Sequence, residues 1–217
     1  MTFQRALGAA IFAFAALTPA AASAHPHVWV TARAEIVFDD AGQIMAIRHI
    51  WQFDEAFSAY AVQGLDANND GGLTRAELAP LAQINVESLA EYRFFTWLYV
   101  RGEDRPLLPP QEYWLDIYGA RLTLFYTLPL AEPAAVADEV VLEVTDPEYF
   151  VAFTFADENP AMLIDARPGC VALFEGAQEL DEEAARLLAA IPADQRNLPP
   201  ELAALTMDRA NAIRVRC

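Results

Sequence analysis

Twelve consecutive residues, Asp66-Ala67-Asn68-Asn69-Asp70-Gly71-Gly72-Leu73-Thr74-Arg75-Ala76-Glu77, carry the densest chemistry in this sequence. Oxygen-bearing side chains stand at positions 1, 3, 5, 9 and 12 of the run: Asp66, Asn68, Asp70, Thr74 and Glu77. A calcium loop draws its oxygens from those positions, adds the backbone carbonyl of position 7, and needs glycine at position 6 for a sharp turn. Gly72 occupies position 7 and Gly71 position 6. Thr74 is expected to act through water, and Glu77 to be a bidentate ligand at the head of an exiting helix. Ca2+ is therefore the expected cofactor. The alternative is an Asp/Asn-rich turn that holds no ion.

The second candidate site is nitrogen-based. The chain has three histidines, His25, His27 and His49. Met1–Arg5 carries one positive charge, Ala6–Leu17 is apolar, and Ala22-Ser23-Ala24 ends the stretch. That order describes a cleaved signal peptide, residues 1–24, and the apolar run falls short of the roughly 20 residues a spanning helix needs. No cysteine follows the cut, so no lipid anchor is expected. Cleavage makes His25 the first residue of a single domain, 25–217. Its α-amine and imidazole, with His27, could chelate Ni2+, Co2+, Zn2+ or Cu2+. Pro26 lacks the N–H that a square-planar amino-terminal copper site must lose, which leaves an amine-plus-imidazoles arrangement.

Composition narrows the partners. All 14 basic residues are Arg, and against 31 acids they leave a net charge of −17. So acidic a chain is not expected to bind nucleic acid or anionic lipid. Export also permits the two cysteines, Cys170 and Cys217, to form a disulfide. No Ser-His-Asp or Cys-His set has a credible candidate, and no Gly-rich phosphate loop is present. A histidine-brace copper oxidase is the sole enzymatic arrangement with residues behind it. The expectation is a protein that is not an enzyme.

Hydrophobic patterning supplies the elements that must hold these groups. Val28–Phe38 and Gln43–Phe53 alternate around Asp39-Asp40-Ala41-Gly42 and predict a hairpin. Placing Phe38 opposite Gln43 sets Ala34 against Ile47, Ala32 against His49 and Val30 against Trp51. Val28, Val30, Ile36, Met45, Ile47 and Trp51 then share one apolar face. His27 falls on the other face from His49, which is read as a hydrogen-bonded interior residue. Asp54 should cap a helix to about Leu65, with helix resuming at Thr74, breaking near Pro80 and Asn85, and continuing from Val86 to Leu98. This helix–loop–helix lobe, about 54–98, has the form of an EF-hand.

Strands are expected at Tyr113–Tyr118, Ala120–Leu128, Glu139–Thr145, Tyr149–Phe155, Val171–Phe174 and Ala212–Cys217. Helices are expected at Leu180–Ile191 and from Glu201. The predicted class is α+β: an antiparallel β-sandwich-like core, an inserted helix–loop–helix lobe and a short helical C-terminal region. The Ala-rich stretch 176–212 carries no motif, and nothing in the sequence sets the oligomeric state.

Five strings occur in order: His25-Pro26-His27-Val28, Trp51-Gln52-Phe53-Asp54-Glu55-Ala56-Phe57-Ser58, the Asp66–Glu77 loop, Tyr92-Arg93-Phe94-Phe95-Thr96, and Asp146-Pro147-Glu148-Tyr149-Phe150-Val151. Together they resemble the domain-of-unknown-function family 1007, exported proteins associated with NicO-type nickel/cobalt permeases. The resemblance implies a periplasmic metal-binding accessory of divalent transition-metal transport, partnered by an inner-membrane permease, with His25 and His27 facing the metal. A calcium-stabilised periplasmic adaptor that binds no transition metal is the competing expectation.

Overall fold

The structure is a computed structural model that describes residues 26–136, 139–192, 195, 198–207 and 210–217. The expected signal peptide and His25 lie outside the described residues. In chain order the elements are β1 (Val28–Phe38), β2 (Gln43–Phe53), α1 (Glu55–Ala61), α2 (Arg75–Ala90), β3 (Thr96–Val100), β4 (Glu103–Asp104), β5 (Tyr113–Tyr118) and β6 (Arg121–Ala135). They continue with β7 (Val140–Val144), β8 (Val151–Phe155), β9 (Ala161–Ile164), β10 (Val171–Glu175), α3 (Glu182–Ala189), α4 (Pro200–Met207) and β11 (Asn211–Arg216).

Two sheets face each other. One runs β5-β6-β2-β1-β8, with β9 also on β1, and the other runs β10-β11-β7-β3-β4. Ile36, Ile47 and Leu124 of the first share one core with Leu98, Leu142 and Ile213 of the second. The α+β sandwich-like class is therefore observed, with one correction: β1 pairs in parallel with β8 and β9, so the first sheet is mixed. Antiparallel neighbours announce themselves through short turns, whereas a parallel pair is joined through a long crossover and leaves no local signal.

The β1–β2 hairpin forms over the expected residues but is slipped by two. Ala34 faces His49, Ala32 faces Trp51 and Val30 faces Phe53. A shift of two preserves the side-chain faces, so alternate β1 residues from Val28 to Phe38 remain buried. Met45 is the exception. A register shift between Ile44 and Ala46 turns both of those inward and leaves Met45 44% exposed.

The helical lobe differs more. Helix α1 ends at Ala61, not Leu65. Helix α2 passes unbroken through Pro80 and Asn85. Its buried residues Leu78, Ala82 and Val86 lie four apart and form one stripe. The carbonyl that Pro80 deprives of a partner belongs to exposed Ala76, where water can serve it. Asn85 is accommodated by donating its side-chain amide to the Leu81 carbonyl at 2.8 Å. Residues 96–98, expected as the helix end, instead open β3, whose alternating burial and pairing with β7 suit Thr-Trp-Leu-Tyr-Val.

Toward the C-terminus, Asp181 caps α3 through the Ala184 amide at 2.7 Å. Leu188 and Ile191 meet Leu202 of α4 in a small separate core. Cys170 and Cys217 are bonded, clasping the ends of β10 and β11, where Val171 pairs with Arg216. A loop of that size stabilises a fold by about 4 kcal/mol on chain-entropy grounds. The double substitution Cys170→Ser/Cys217→Ser should lower unfolding free energy by about 2–4 kcal/mol, read as a drop in the urea midpoint with native far-ultraviolet circular dichroism retained.

Candidate functional site

The oxygen-rich loop folds onto itself. Asp66 accepts from the amides of Asp70 and Gly71 at 3.2 and 3.0 Å, and Asn68 Oδ1 accepts from Asp70 at 2.9 Å. The Asn68 side-chain amide donates to Asp70 Oδ2 at 2.8 Å. Glu77 Oε2 accepts from the Thr74 amide and hydroxyl at 2.9 and 2.8 Å, while Oε1 reaches back to the Ala67 amide at 3.2 Å. These hydrogen bonds, first of all the Thr74 amide, hold the Glu77 carboxyl below its usual range. Gly71 has φ +82°, the left-handed turn position 6 requires.

Asp66, Asn68 and Asp70 are thus brought together, as are Thr74 and Glu77, and Glu77 closes the loop across to its beginning. Gly72 donates its amide to Asp70 at 2.8 Å. The donors are all oxygens, which fits a hard cation. Among the described residues no three His, Cys, Asp or Glu side chains form a ready metal cluster, so the loop carboxylates are held by loop amides rather than converged on a point.

Thr74 and Glu77 also form a capping box that starts α2. Arg75 then ties the helix to the sheet, 2.9 Å from Asp116 and over the Trp114 ring at 5.2 Å. Farther along, Asn85, Ser88 and Leu89 of α2 form part of the wall of a cleft of about 280 Å³. Its remaining lining comes from Val28, Val30, Trp51, Phe53, Phe57, Tyr92, Phe95, Asp146, Glu148, Phe150 and Val151. Four of the five strings that resemble the family send residues into it or abut it.

Each wall has a local cause. Asp54 holds α1 by accepting from the Phe57 amide at 2.9 Å, and ties it to β1 by accepting from the Trp29 amide at 3.0 Å. Ser58, buried, donates to the Asp54 carbonyl and accepts from the Leu122 amide. Arg93, Phe94 and Phe95 form one left-handed turn, with φ of 54, 56 and 50°. Left-handed backbone costs each such residue roughly 1–2 kcal/mol. Burial of Phe94 and Phe95 offsets it, and the Phe94 carbonyl accepts from the Thr96 hydroxyl at 2.7 Å.

Asp146, 4% exposed, accepts from the amides of Glu148 and Val151 at 2.9 and 2.8 Å. Burial raises its carboxyl above the usual range, and these amides work against that shift. The same loop carries Phe150, whose ring stacks on His27 at 4.5 Å and whose carbonyl accepts from the His27 amide at 2.9 Å. His49 is elsewhere. It is fully buried, 3.1 Å from the Thr96 hydroxyl and stacked on Tyr126 at 4.9 Å. That is the interior role its strand position suggested.

The sequence matches, over residues 10–217, the family described as "Protein of unknown function (DUF1007)". The chain belongs to that family. It is also similar to a Haemophilus influenzae protein named "Uncharacterized protein", at 23% identity over 139 residues. That stretch covers 63% of this chain and 65% of the relative, so the match spans a little under two thirds of the relative's length.

The cleft of this DUF1007 chain escaped sequence reasoning because its aromatics come from separate segments that periodicity reads as core. The signal that could have found it was the aromatic content shared by the resemblance strings. His49 supplies a test of the assembled core. Desolvation lowers its pKa from 6.5 to about 3. The unfolded chain binds a proton below pH 6.5 that the folded chain refuses, so stability is full above 6.5 and falls as pH drops toward 3. Between pH 6.5 and 5 the loss should be about 2 kcal/mol, measured by denaturant titration, and His49→Phe should flatten that slope.

Proposed function

We propose that this protein is an exported, calcium-stabilised binding protein of the periplasm, a non-enzymatic adaptor that engages its ligand or partner at the aromatic cleft. The observation that carries this reading is continuity. Glu77, the last oxygen donor of the loop, sits in the first turn of α2, and the far end of the same helix supplies Asn85, Ser88 and Leu89 to the cleft. An ion held by Asp66, Asn68, Asp70, Thr74, Glu77 and the Gly72 carbonyl would relieve repulsion among the loop carboxylates. It would also fix where α2 begins, and so stiffen one wall of the cleft. A sequence start that reads as a cleaved signal, and a disulfide, support the periplasm as its place.

A second reading is favoured by the position of His27. Its ring rests on Phe150, two residues from Glu148, so an amino-terminal chelate of His25 and His27 would lie beside an acidic loop. In that reading the protein hands Ni2+, Co2+ or Zn2+ to or from an inner-membrane permease, as the family resemblance implies. Titrating the mature protein with Ni2+, Co2+ and Zn2+ against His25→Ala/His27→Ala, with calcium present, separates the two. Loss of affinity in the variant supports delivery, and equal weak affinity in both leaves the adaptor.

Calcium itself is tested by thermal unfolding. Sites of extracellular modules bind with Kd of about 10⁻⁴ M. At a hundredfold excess over that value, linkage stabilises the folded chain by about 2.7 kcal/mol. The melting temperature should therefore rise by several degrees with calcium, much less with magnesium, and hardly at all in Glu77→Gln. That variant keeps a capping side chain and loses the ligand charge. A melting temperature unchanged by calcium would overturn the reading.

A further inference from the structure

The cleft is apolar but not featureless. Tyr92 stacks on Phe95 at 5.4 Å, Phe95 lies 6.4 Å from the Trp51 ring, and Phe53 meets Phe57 at 4.8 Å. Five aromatic side chains in two groups therefore line one small space, and Phe150 adds a sixth ring. Glu148 and the buried Asp146 line it too, and no Arg or His belongs to its lining. The net charge of −17 adds a field of the same sign.

Ring faces are negative, so such a space favours cations that also carry apolar surface. A bare metal ion gains nothing from the six rings and finds both Asp146 oxygens already accepting from the Glu148 and Val151 amides, and an anion meets carboxylates. A plain hydrocarbon would gain from the rings but would take water from the half-buried Glu148 without offering it a counter-charge. The cation that matches both features holds its charge behind methyl or methylene groups and demands no hydrogen bonds. The volume, about 280 Å³, admits a small ligand of that kind rather than a folded element. Backbone strain points to the same spot: the left-handed turn Arg93–Phe95 holds Phe95 in place and sets the path of the chain after Tyr92, and strain of this kind gathers at ligand clamps.

We propose that this cleft binds a small organic ammonium ion, its alkylated nitrogen set against the exposed Tyr92 ring and its charge balanced by Asp146 and Glu148. This deepens the reading of the cleft as the binding face, and rests on it.

The probe is choline, with 3,3-dimethylbutan-1-ol as the uncharged molecule of the same shape, titrated calorimetrically into the mature, calcium-loaded protein. Choline should bind at least tenfold more tightly than the alcohol. Tyr92→Leu, at a side chain 40% exposed at the cleft, keeps apolar bulk and removes the ring face. It should weaken choline about fivefold and leave the alcohol unchanged, and Glu148→Gln should do the same. Equal affinity for the two probes, no heat from choline at 10 mM, or equal weakening of both by Tyr92→Leu overturns the proposal. Calcium stabilisation that persists without choline binding refutes this inference alone, whereas loss of the calcium response refutes the broader reading.

Discussion

Helix α2 is seated by three side chains, Leu78, Ala82 and Val86, all buried and spaced by four. Full burial of a leucine alone is worth roughly 1.5–3 kcal/mol. That contact with the β5 side of the first sheet sets the position of everything attached to the helix. The oxygen-rich loop is its N-terminal cap, the cleft wall is its C-terminal half, and the strained turn follows at its end. Pro80 is tolerated in the middle because the stripe outweighs one missing hydrogen bond. Were α2 to shift along its axis, the loop and the cleft would shift together, so the proposed cation at one end would matter to the proposed ligand at the other.

The second constraint is the reversal of direction after α2. The chain must leave a helix and enter β3 within a few residues, against β7. It does so through Arg93, Phe94 and Phe95 in left-handed backbone, where glycine would be the easy choice. Large aromatics there bring core contacts that glycine could not. Phe94 and Phe95 are each 5% exposed, and Arg93 pairs with Asp104 at 2.8 Å while lying over Trp97 at 5.6 Å. The turn is held from both sides, by burial within and by pairing without.

These two constraints explain what could be read from the chain and what could not. The β1–β2 hairpin was legible to the residue because a period of two and an Asp-Asp-Ala-Gly turn agree with each other. Its register was not, since a shift of two leaves the buried faces identical and only the bulge near Ile44 decides it. The Asp66–Glu77 loop was legible as a tight, oxygen-rich turn because its residues are local in sequence. Strand β3 was hidden because Val86, Leu89 and the aromatics after them continue a helix-like spacing up to the point where the backbone reverses. Strand β9, only Ala161–Ile164, is too short to show alternation, and its parallel pairing with β1 has no local cause. The cleft needed the fold itself, since its residues are drawn from stretches as far apart as Val28 and Val151.

Charge was legible as a total and illegible as a distribution. Arg48, Arg75, Arg93, Arg105, Arg121 and Arg214 each meet a carboxylate at or near the surface. Such pairs contribute only about 0–1 kcal/mol each, so they do more to neutralise the arginines than to hold the fold. The acidic excess is left free to act on mobile cations. At physiological ionic strength its reach is roughly 8 Å, enough to enrich cations near the surface and too short to choose among them. Choice has to come from what surrounds each carboxylate. Oxygen neighbours in a tight turn would favour a small hard ion at Asp66–Glu77, and aromatic neighbours beside Asp146 and Glu148 would favour a large soft one. On the proposed reading, the same excess of negative charge would serve two sites whose walls select opposite kinds of cation.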